Sequence, residues 1–343
     1  MSVERKSEAG RLAALVRAFA GRRVVVVGDL IADQFVSGEI SRVSREAPVM
    51  ILRHEQTETV PGGAANCALN LATLGARAVV VGAVGEDEAG RELLGRLTAA
   101  GVDCGGVVAA PELRTTTKVR ILAGHAHSTR QQVVRLDYEG APLADASLLG
   151  RLAENVRGAS EGAAAAIVSD YNYGVACAAT VGALREAAAS TGGGGVPVLV
   201  DSRFRLREFA GLTSATPNED EVEQVAGRRF EDACALASEG ERLRAALGYR
   251  ALLITRGKHG MLLLEEGADA LHLAAVGSHD AVDVTGAGDT VIAAYALALA
   301  SGAGFREAAR LANHAGGVVV LKRGTASVSP EELLASVEQE GQH

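Results

Sequence analysis

Tryptophan is absent from the 343 residues, and only five tyrosines and six phenylalanines are present. The core must therefore be built from Val, Leu, Ile and Ala, and a base-stacking platform for nucleic acid is not expected. Cysteine is scarce as well. Cys67, Cys104, Cys177 and Cys234 are scattered with no CxxC spacing. That argues against a disulfide or zinc framework and suits free thiols in a reducing compartment. Only four lysines are present and the net charge is −8, so no general attraction to nucleic acid is expected. No apolar run reaches the roughly 18 residues of a spanning helix; the longest, near Val291–Ala300, is shorter. The opening MSVERKSEAG is charged and lacks the apolar stretch of a secretion signal. A cytoplasmic protein without membrane or nucleic-acid partners is the expectation.

Glycine is abundant, at 41 residues, and short β-branched runs recur. Arg23–Gly28, Ala78–Gly82, Ala164–Ser169, Pro197–Asp201 and Leu252–Thr255 read as strands covered on both faces, which suggests a parallel sheet. Helical patterns lie between them, at Ala64–Leu74, Ala89–Ala100, Ser147–Val156, Ala176–Ala189, Glu219–Val225 and Ala233–Leu247. Such alternation predicts an α/β layered fold with ligands near the C-terminal ends of the strands. The run Gly192–Gly195 reads as a connection. Phe35–Val60 and Thr115–Tyr138 break the alternation, with extended polar–apolar patterns and no helical period. They predict a small separate sheet, to be covered by substrate or a partner chain; a β-extension of the main sheet is the alternative.

Asp283–Tyr295 reads DVTGAGDTVIAAY, a Gly-Ala-Gly turn running into an apolar helix. Bare glycines let amides converge, and a helix N-terminus offers free N–H groups and a positive dipole end, an arrangement suited to phosphate oxygens. Asp289 at the helix start can take a proton from an attacking hydroxyl; it can equally be a first-turn Asp that only stabilises the helix. PGGAAN (Pro61–Asn66) is a second glycine turn opening a helix. There Gly62, Gly63 and Asn66 can bond a polyhydroxylated ligand or simply cap the helix. Strand Val24–Gly28 is followed by Asp29 and then Asp33, a carboxylate placed to accept sugar hydroxyls. No GxGxxG follows, which argues against dinucleotide binding. In TPNEDE (Thr216–Glu221), Asn218 and Glu221 share a face and can hold the water shell of Mg²⁺ or form a helix cap. Thr255, Arg256 and Gly257 follow an apolar strand and can touch phosphate or form a strand-end turn.

Taken in this order, these motifs resemble the ribokinase-like (phosphofructokinase-B) sugar kinase family, from about Val24 to Pro330. SRVSREAP (Ser41–Pro48), PGGAANCALNLATLGA, VVRLDYE and GGVVVLKRGTASVSP are most similar to the kinase half of bacterial ADP-heptose synthesis enzymes. That half phosphorylates C1 of D-glycero-D-manno-heptose 7-phosphate with ATP, and in related enzymes it is fused to a nucleotidyltransferase domain. The resemblance implies a three-layer α/β/α sandwich with a mainly parallel sheet plus a small β-lid. It implies one kinase domain over residues 1–343, with the lid at about 35–60 and 114–138. The chain ends soon after Pro330, so no fused nucleotidyltransferase domain is expected and a separate one would act downstream. A homodimer formed through the lid is a further implication.

The resemblance also carries roles. Asp289 would be the general base, and the amides of Gly286, Ala287 and Gly288 the anion hole. Asn218 and Glu221 would organise Mg²⁺ and the ATP phosphates. Thr255, Arg256 and Gly257 would lie on the nucleotide's phosphate side, with Asn313 near adenine. Asp33, Gly62, Gly63 and Asn66 would grip the sugar. Asp283 and Thr285 match a monovalent-cation loop, with K⁺ the cation. A substrate phosphate would need cations, for which Lys118, Arg135, Arg42, Arg45, Arg120 and Arg203 are candidates. The chain departs from the heptose kinases in two places: SDYNYG has Tyr173 where lysine is usual, and DSRF has Arg203 where DPKG is usual. Arginine does not reproduce lysine's geometry. A kinase for another sugar, or a non-catalytic sugar- or nucleotide-binding regulator, are the alternatives; intact GAGD and NEDE disfavour the regulator.

Overall fold

In the strand Arg23–Gly28, Val24 and Val26 enter one apolar cluster while Val25 and Val27 enter another. Side chains of a strand alternate between faces, so this strand is buried on both. The computed structural model describes residues 2–124, 130–190, 195–277 and 281–340. In chain order the elements are α1 (Ser2–Arg17), β1 (Arg23–Gly28), β2 (Leu30–Val43), β3 (Met50–Gly63), α2 (Ala64–Thr73), β4 (Arg77–Gly85), α3 (Glu88–Ala99), β5 (Asp103–Ala110), β6 (Thr116–Gly124), β7 (Gln131–Tyr138), α4 (Ala146–Ser160), β8 (Ala165–Asp170), α5 (Ala178–Ser190), β9 (Val198–Ser202), β10 (Ser214–Ala215), α6 (Glu219–Ala226), α7 (Ala233–Leu247), β11 (Ala251–Thr255), β12 (Met261–Glu265), β13 (Leu271–Leu273), α8 (Ala287–Ala300), α9 (Phe305–Val319) and α10 (Pro330–Glu340).

Among the described residues, nine strands form one sheet in the order β13-β12-β11-β10-β9-β8-β1-β4-β5. It is parallel from β11 to β5, with β12 and β13 added antiparallel at one edge. One face carries α1, α2, α3, α8, α9 and α10; the other carries α4, α5, α6 and α7. This is the expected three-layer sandwich. From β1 the chain moves to β4 and β5 on one side, then crosses to β8 and β9 on the other. Such a reversal opens a crevice beyond the strand ends. The apolar helix α8 is enclosed, with every residue from Asp289 to Ala298 buried, as a helix hydrophobic all round must be.

The expected strands and helices are all present, within two residues or so at most ends. The structure adds α1, β5, β10, β12, β13, α9 and α10, which no expectation named. The two aberrant segments form a sheet of their own, β3-β2-β6-β7, and do not extend the main one. It is antiparallel except where β2 meets β6 in parallel. Only Asp29 separates β1 from β2, so this second sheet grows directly from the crevice. Residues 125–129, between β6 and β7, and Gly192–Gly194 of the glycine run lie outside the described residues.

Two buried carboxylates lash down the loop after β8. Asp29 accepts the backbone N–H groups of Tyr171, Tyr173 and Val175 at 2.8, 3.0 and 3.1 Å. Asp170, whose side chain is 0% exposed, takes Arg205 Nη2 at 2.8 Å and the Ser202 hydroxyl at 2.7 Å. Arg205 also donates to the Ala176 carbonyl, joining the ends of β8 and β9. Removing one member of such a pair strands the other charge. Arg205→Met should therefore cost about 3–5 kcal/mol in chemical denaturation; a loss below about 1 kcal/mol, the scale of a surface pair, would contradict this.

Candidate active site

Gly286 opens α8 in the left-handed region, at φ 76°. A Cβ there would lie 2.6 Å from Asn66 Nδ2, so glycine alone fits between the turn and α2. First-turn amides have no helical partner. That of Ala287 is taken by the Val284 carbonyl at 3.2 Å, so of the three amides expected to form an anion hole, this one is already engaged. Asp289 follows on the same turn and is 4% exposed. Its Oδ2 accepts from Asn66 Nδ2 at 2.7 Å and its Oδ1 from the Tyr171 hydroxyl at 3.1 Å. Burial pushes the Asp289 carboxyl up to about 7, against the lowering effect of these two donors. Asn66, expected to grip a sugar, is itself fully buried with its NH₂ on Asp289. It stands behind the carboxylate.

Asp33 lies on β2 opposite Val60 of β3 and Lys118 of β6. Its Oδ1 meets Arg120 Nη1 at 2.5 Å. Its Oδ2 would be 2.4 Å from a Cβ on Gly62, so the glycine makes room for the carboxylate. Arg120, a candidate for binding a substrate phosphate, is thus paired within the site. Arg42 and Arg45 are exposed, and Arg42 is about 30 Å along the strand from Asp33 at ~3.3 Å per residue. The structure does not bring them to the site.

Three other cations do converge. Lys118, Arg135 and Arg203 line a cavity of about 460 Å³ with Tyr171, Tyr173 and Phe204. Lys118 Nζ stands 5.7 Å over the Tyr171 ring and 5.8 Å over the Tyr173 ring, and its burial lowers the lysine pKa. Arg135 is paired with Asp137 at 2.7 Å and 2.5 Å. Arg203 lies over Phe204 at 5.9 Å and makes no ion pair among the described residues. Tyr173, in the usual lysine position, donates its hydroxyl to Glu139. Tyr171 joins this cavity to Asp289: its ring lies under Lys118 and its hydroxyl bonds the carboxylate.

On the other side of α8, Thr255, Gly257, Lys258, Ala287, Gly288 and Asn313 help line a mainly apolar cavity of about 200 Å³. Asn313 is oriented by donating Nδ2 to the Ala274 carbonyl at 2.7 Å. TPNEDE and TRG adjoin each other: Asn218 bridges Thr255, whose N–H donates to the Pro217 carbonyl at 2.9 Å. Asn218 and Glu221 form a reciprocal capping box at the start of α6. Arg256 is paired with Glu219 at 3.1 Å and does not line the cavity. Asp201, near the end of β9, is a further carboxylate of the site that the sequence motifs do not single out. Burial pushes its carboxyl well up, and the Glu221 and Asp289 carboxylates push it the same way. The available signal was its place at the C-terminal end of a parallel strand.

Asp283 takes the Thr285 N–H on Oδ1 at 2.9 Å and the Gly324 N–H on Oδ2 at 3.0 Å. Burial raises its pKa, but these amides outweigh that and hold it below the usual carboxylate range. Among the described residues, no group of three or more His, Cys, Asp or Glu side chains is placed to hold a metal, and no helix is long and apolar enough to cross a membrane. The electrostatics of Asp289 can be tested directly. Carbon-detected NMR of labelled Asp side chains should place its midpoint near 7, and Tyr171→Phe, by removing a donor to the charged form, should raise it. A midpoint in the ordinary carboxylate range, near 4, would contradict the geometry.

Residues 22–332 match the pfkB family carbohydrate kinases. The bifunctional protein HldE of Alcanivorax borkumensis is 43% identical over 329 residues, covering 95% of this chain and 66% of that protein. HldE of Hahella chejuensis is 42% identical over 330 residues, covering 94% and 65%. The chain thus spans just under two thirds of the length of these curated relatives. Ribokinase of Arabidopsis thaliana, solved with ribose and ATP, superposes with a TM-score of 0.70 at 22% identity, over 93% of this chain and 99% of that one. Phosphofructokinase-2 of Escherichia coli with fructose-6-phosphate gives 0.75 at 19% identity, over 93% and 99%. The fold is therefore ribokinase-like, and the match over nearly the whole sequence places the chain in the pfkB family of carbohydrate kinases.

Proposed function

We propose that this kinase transfers the γ-phosphoryl group of ATP to C1 of D-glycero-D-manno-heptose 7-phosphate, giving heptose 1,7-bisphosphate and ADP. One observation carries the reading: a buried, hydrogen-bonded Asp289 lies between a mainly apolar cavity lined by Thr255, Gly257 and Asn313 and a cavity lined by Lys118, Arg135 and Arg203. The similarity to HldE over 95% of the chain supports it. In the reaction, the anomeric oxygen gives its proton to Asp289 and bonds to the γ-phosphorus, while the bond from that phosphorus to the β-phosphate oxygen breaks. The amides of Gly288 and Gly286 face the developing charge. Asp33, with Gly62 and Gly63, receives the sugar hydroxyls, and Asn66 steadies Asp289. Thr255, Gly257 and Asn313 contact the nucleotide.

Magnesium fits this chain's residues. Asp201 and Glu221 are partly buried carboxylates, and the charge of Glu221 pushes the Asp201 carboxyl up, a repulsion that a divalent cation relieves. Those two residues, with Asn218 at the cap, would hold Mg²⁺, which would neutralise charge on the transferring phosphate. Asp283 and the backbone of Thr285 would serve K⁺. The second sheet acts as a lid, closing over the sugar to exclude water. Strand β7 is exposed along its whole length, with Val133, Val134, Leu136 and Tyr138 open. An unprotected edge of this kind suits a second copy of the chain, so the lid would also form a homodimer. Dependence on ATP and a sugar phosphate puts the protein at work in the cytoplasm.

Two outcomes are expected. First, Asp289 accepts a proton only when ionised, so kcat/KM should rise with pH through about 7 and level off above it. A flat profile between pH 5 and 8 would exclude a base titrating in that range. Second, ADP release should be at least about tenfold more efficient with heptose 7-phosphate than with heptose, a ratio equivalent to one charge-assisted contact. Arg203→Ala should remove most of that preference. Equal efficiency on both sugars, or better turnover of ribose or fructose, would favour a kinase for another sugar.

A further inference from the structure

Behind Asp289 lies a second tier of buried polar side chains that the reaction scheme leaves unused. Asn66 must present its NH₂ to Asp289, because the reversed amide would set an oxygen against a carboxylate. The two ends of a carboxamide have nearly the same shape, so packing alone does not choose between them. Asn70, one turn further along α2, reinforces from the other end the direction that the carboxylate requires. Its Nδ2 donates to Asn66 Oδ1 at 3.1 Å and to the Asn66 carbonyl at 2.9 Å. Asn70 is held the same way round by the Asn66 carbonyl, which can only accept, and the Thr290 hydroxyl, which also reaches the Gly286 carbonyl at 3.4 Å, completes the arrangement by donating to Asn70 Oδ1 at 2.8 Å. Asn66, Asn70 and Thr290 are each 0% exposed, so bulk water cannot replace a missing partner. Thr290 adjoins Asp289 on α8, so the chain of donors leaves α8, crosses to α2 and returns to the carboxylate.

We propose that Asn70 and Thr290 are positioning residues of the phosphoryl transfer: through a one-way chain of hydrogen bonds they fix the direction of the Asn66 amide and thereby the Asp289 carboxylate. This rests on the reading of Asp289 as the general base. A purely structural role, joining two helices, would leave the carboxylate's behaviour unchanged when the chain is broken. The other titratable groups around Asp289 are Asp33 and Lys118 from the second sheet, Asp201 from β9, Tyr171 from the loop after β8 and Cys67 from α2. None belongs to the chain of donors, and all remain in the variants below.

Thr290→Val keeps the shape of the side chain and removes the hydroxyl. Expected are a loss of about tenfold in kcat/KM near pH 7, the scale of one misdirected hydrogen bond, and an acid limb shifted to higher pH. KM for ATP should stay within about twofold, the nucleotide cavity being formed by other residues. Thr290→Ser restores the hydroxyl and should recover both the rate and the limb. In an Asn66→Ala background, Thr290→Val should have no further effect on the pH midpoint, as expected of residues acting in series. Carbon-detected titration of Asp289 in folded Thr290→Val supplies a readout without turnover. An upward shift there with a flat rate profile would contradict the general-base reading and leave the positioning chain intact. An unmoved midpoint in both measurements, with only thermal stability reduced, would overturn the proposal.

Discussion

A carboxylate buried at the first turn of α8 needs a donor on each oxygen, because stranding a buried charge costs about 3–5 kcal/mol. Asn66 and Tyr171 supply those donors from two different elements, and much of the surrounding architecture keeps them in place. Helix α2 must approach α8 closely enough for Asn66 to reach, which only a glycine at position 286 permits. The loop after β8 must hold Tyr171 against the site, and Asp29 with the Asp170–Arg205 pair secures that loop. Even so, burial outweighs the donors and leaves Asp289 near 7. Catalytic bases are most effective in that range, where they are ionised yet still attract a proton.

The same economy of groups recurs across the crevice. Tyr171 serves Asp289 with its hydroxyl and Lys118 with its ring. Asp33 faces the site from β2 while Arg120 from β6 neutralises part of its charge. Two departures from the heptose kinase pattern fall at one place, the cavity shared by Tyr173 and Arg203. Tyr173 contributes a hydroxyl bonded to Glu139, and Arg203 contributes a cation with no partner in an ion pair among the described residues. Any positive charge absent at position 173 is therefore opposed, in the same cavity, by Arg203 and the half-buried Lys118.

The layered fold was legible because strands buried on both faces need uninterrupted β-branched runs, and β1, β4, β8, β9 and β11 have them. Strand β5, reading DCGGVVAA, and the leucine-rich β12 lack that texture. The glycine turns at 62–63 and 286–288 were legible as places of close backbone approach, and they do converge, through Asn66 and Asp289. Contacts between residues distant in sequence left no local mark. Nothing near Asn66 indicates that its amide faces Asp289, 223 positions away. The pairing of Arg120 with Asp33 and the chain from Thr290 through Asn70 are hidden for the same reason. Asn218 and Glu221 show the opposite case. Their spacing was read for metal and for a cap together, and the cap is what their side chains form.

The central claim is that Asp289 removes the proton of the sugar hydroxyl during phosphoryl transfer. Rapid-quench measurement of a single turnover, with enzyme in excess over ATP and saturating heptose 7-phosphate, isolates that step. Asp289→Asn keeps the size of the side chain and removes its basicity. The account predicts a transfer step slowed by about 10²–10⁴-fold, with ATP still bound and the fold intact. A step within about threefold of the unsubstituted protein, too small a change for a lost general base, would contradict it.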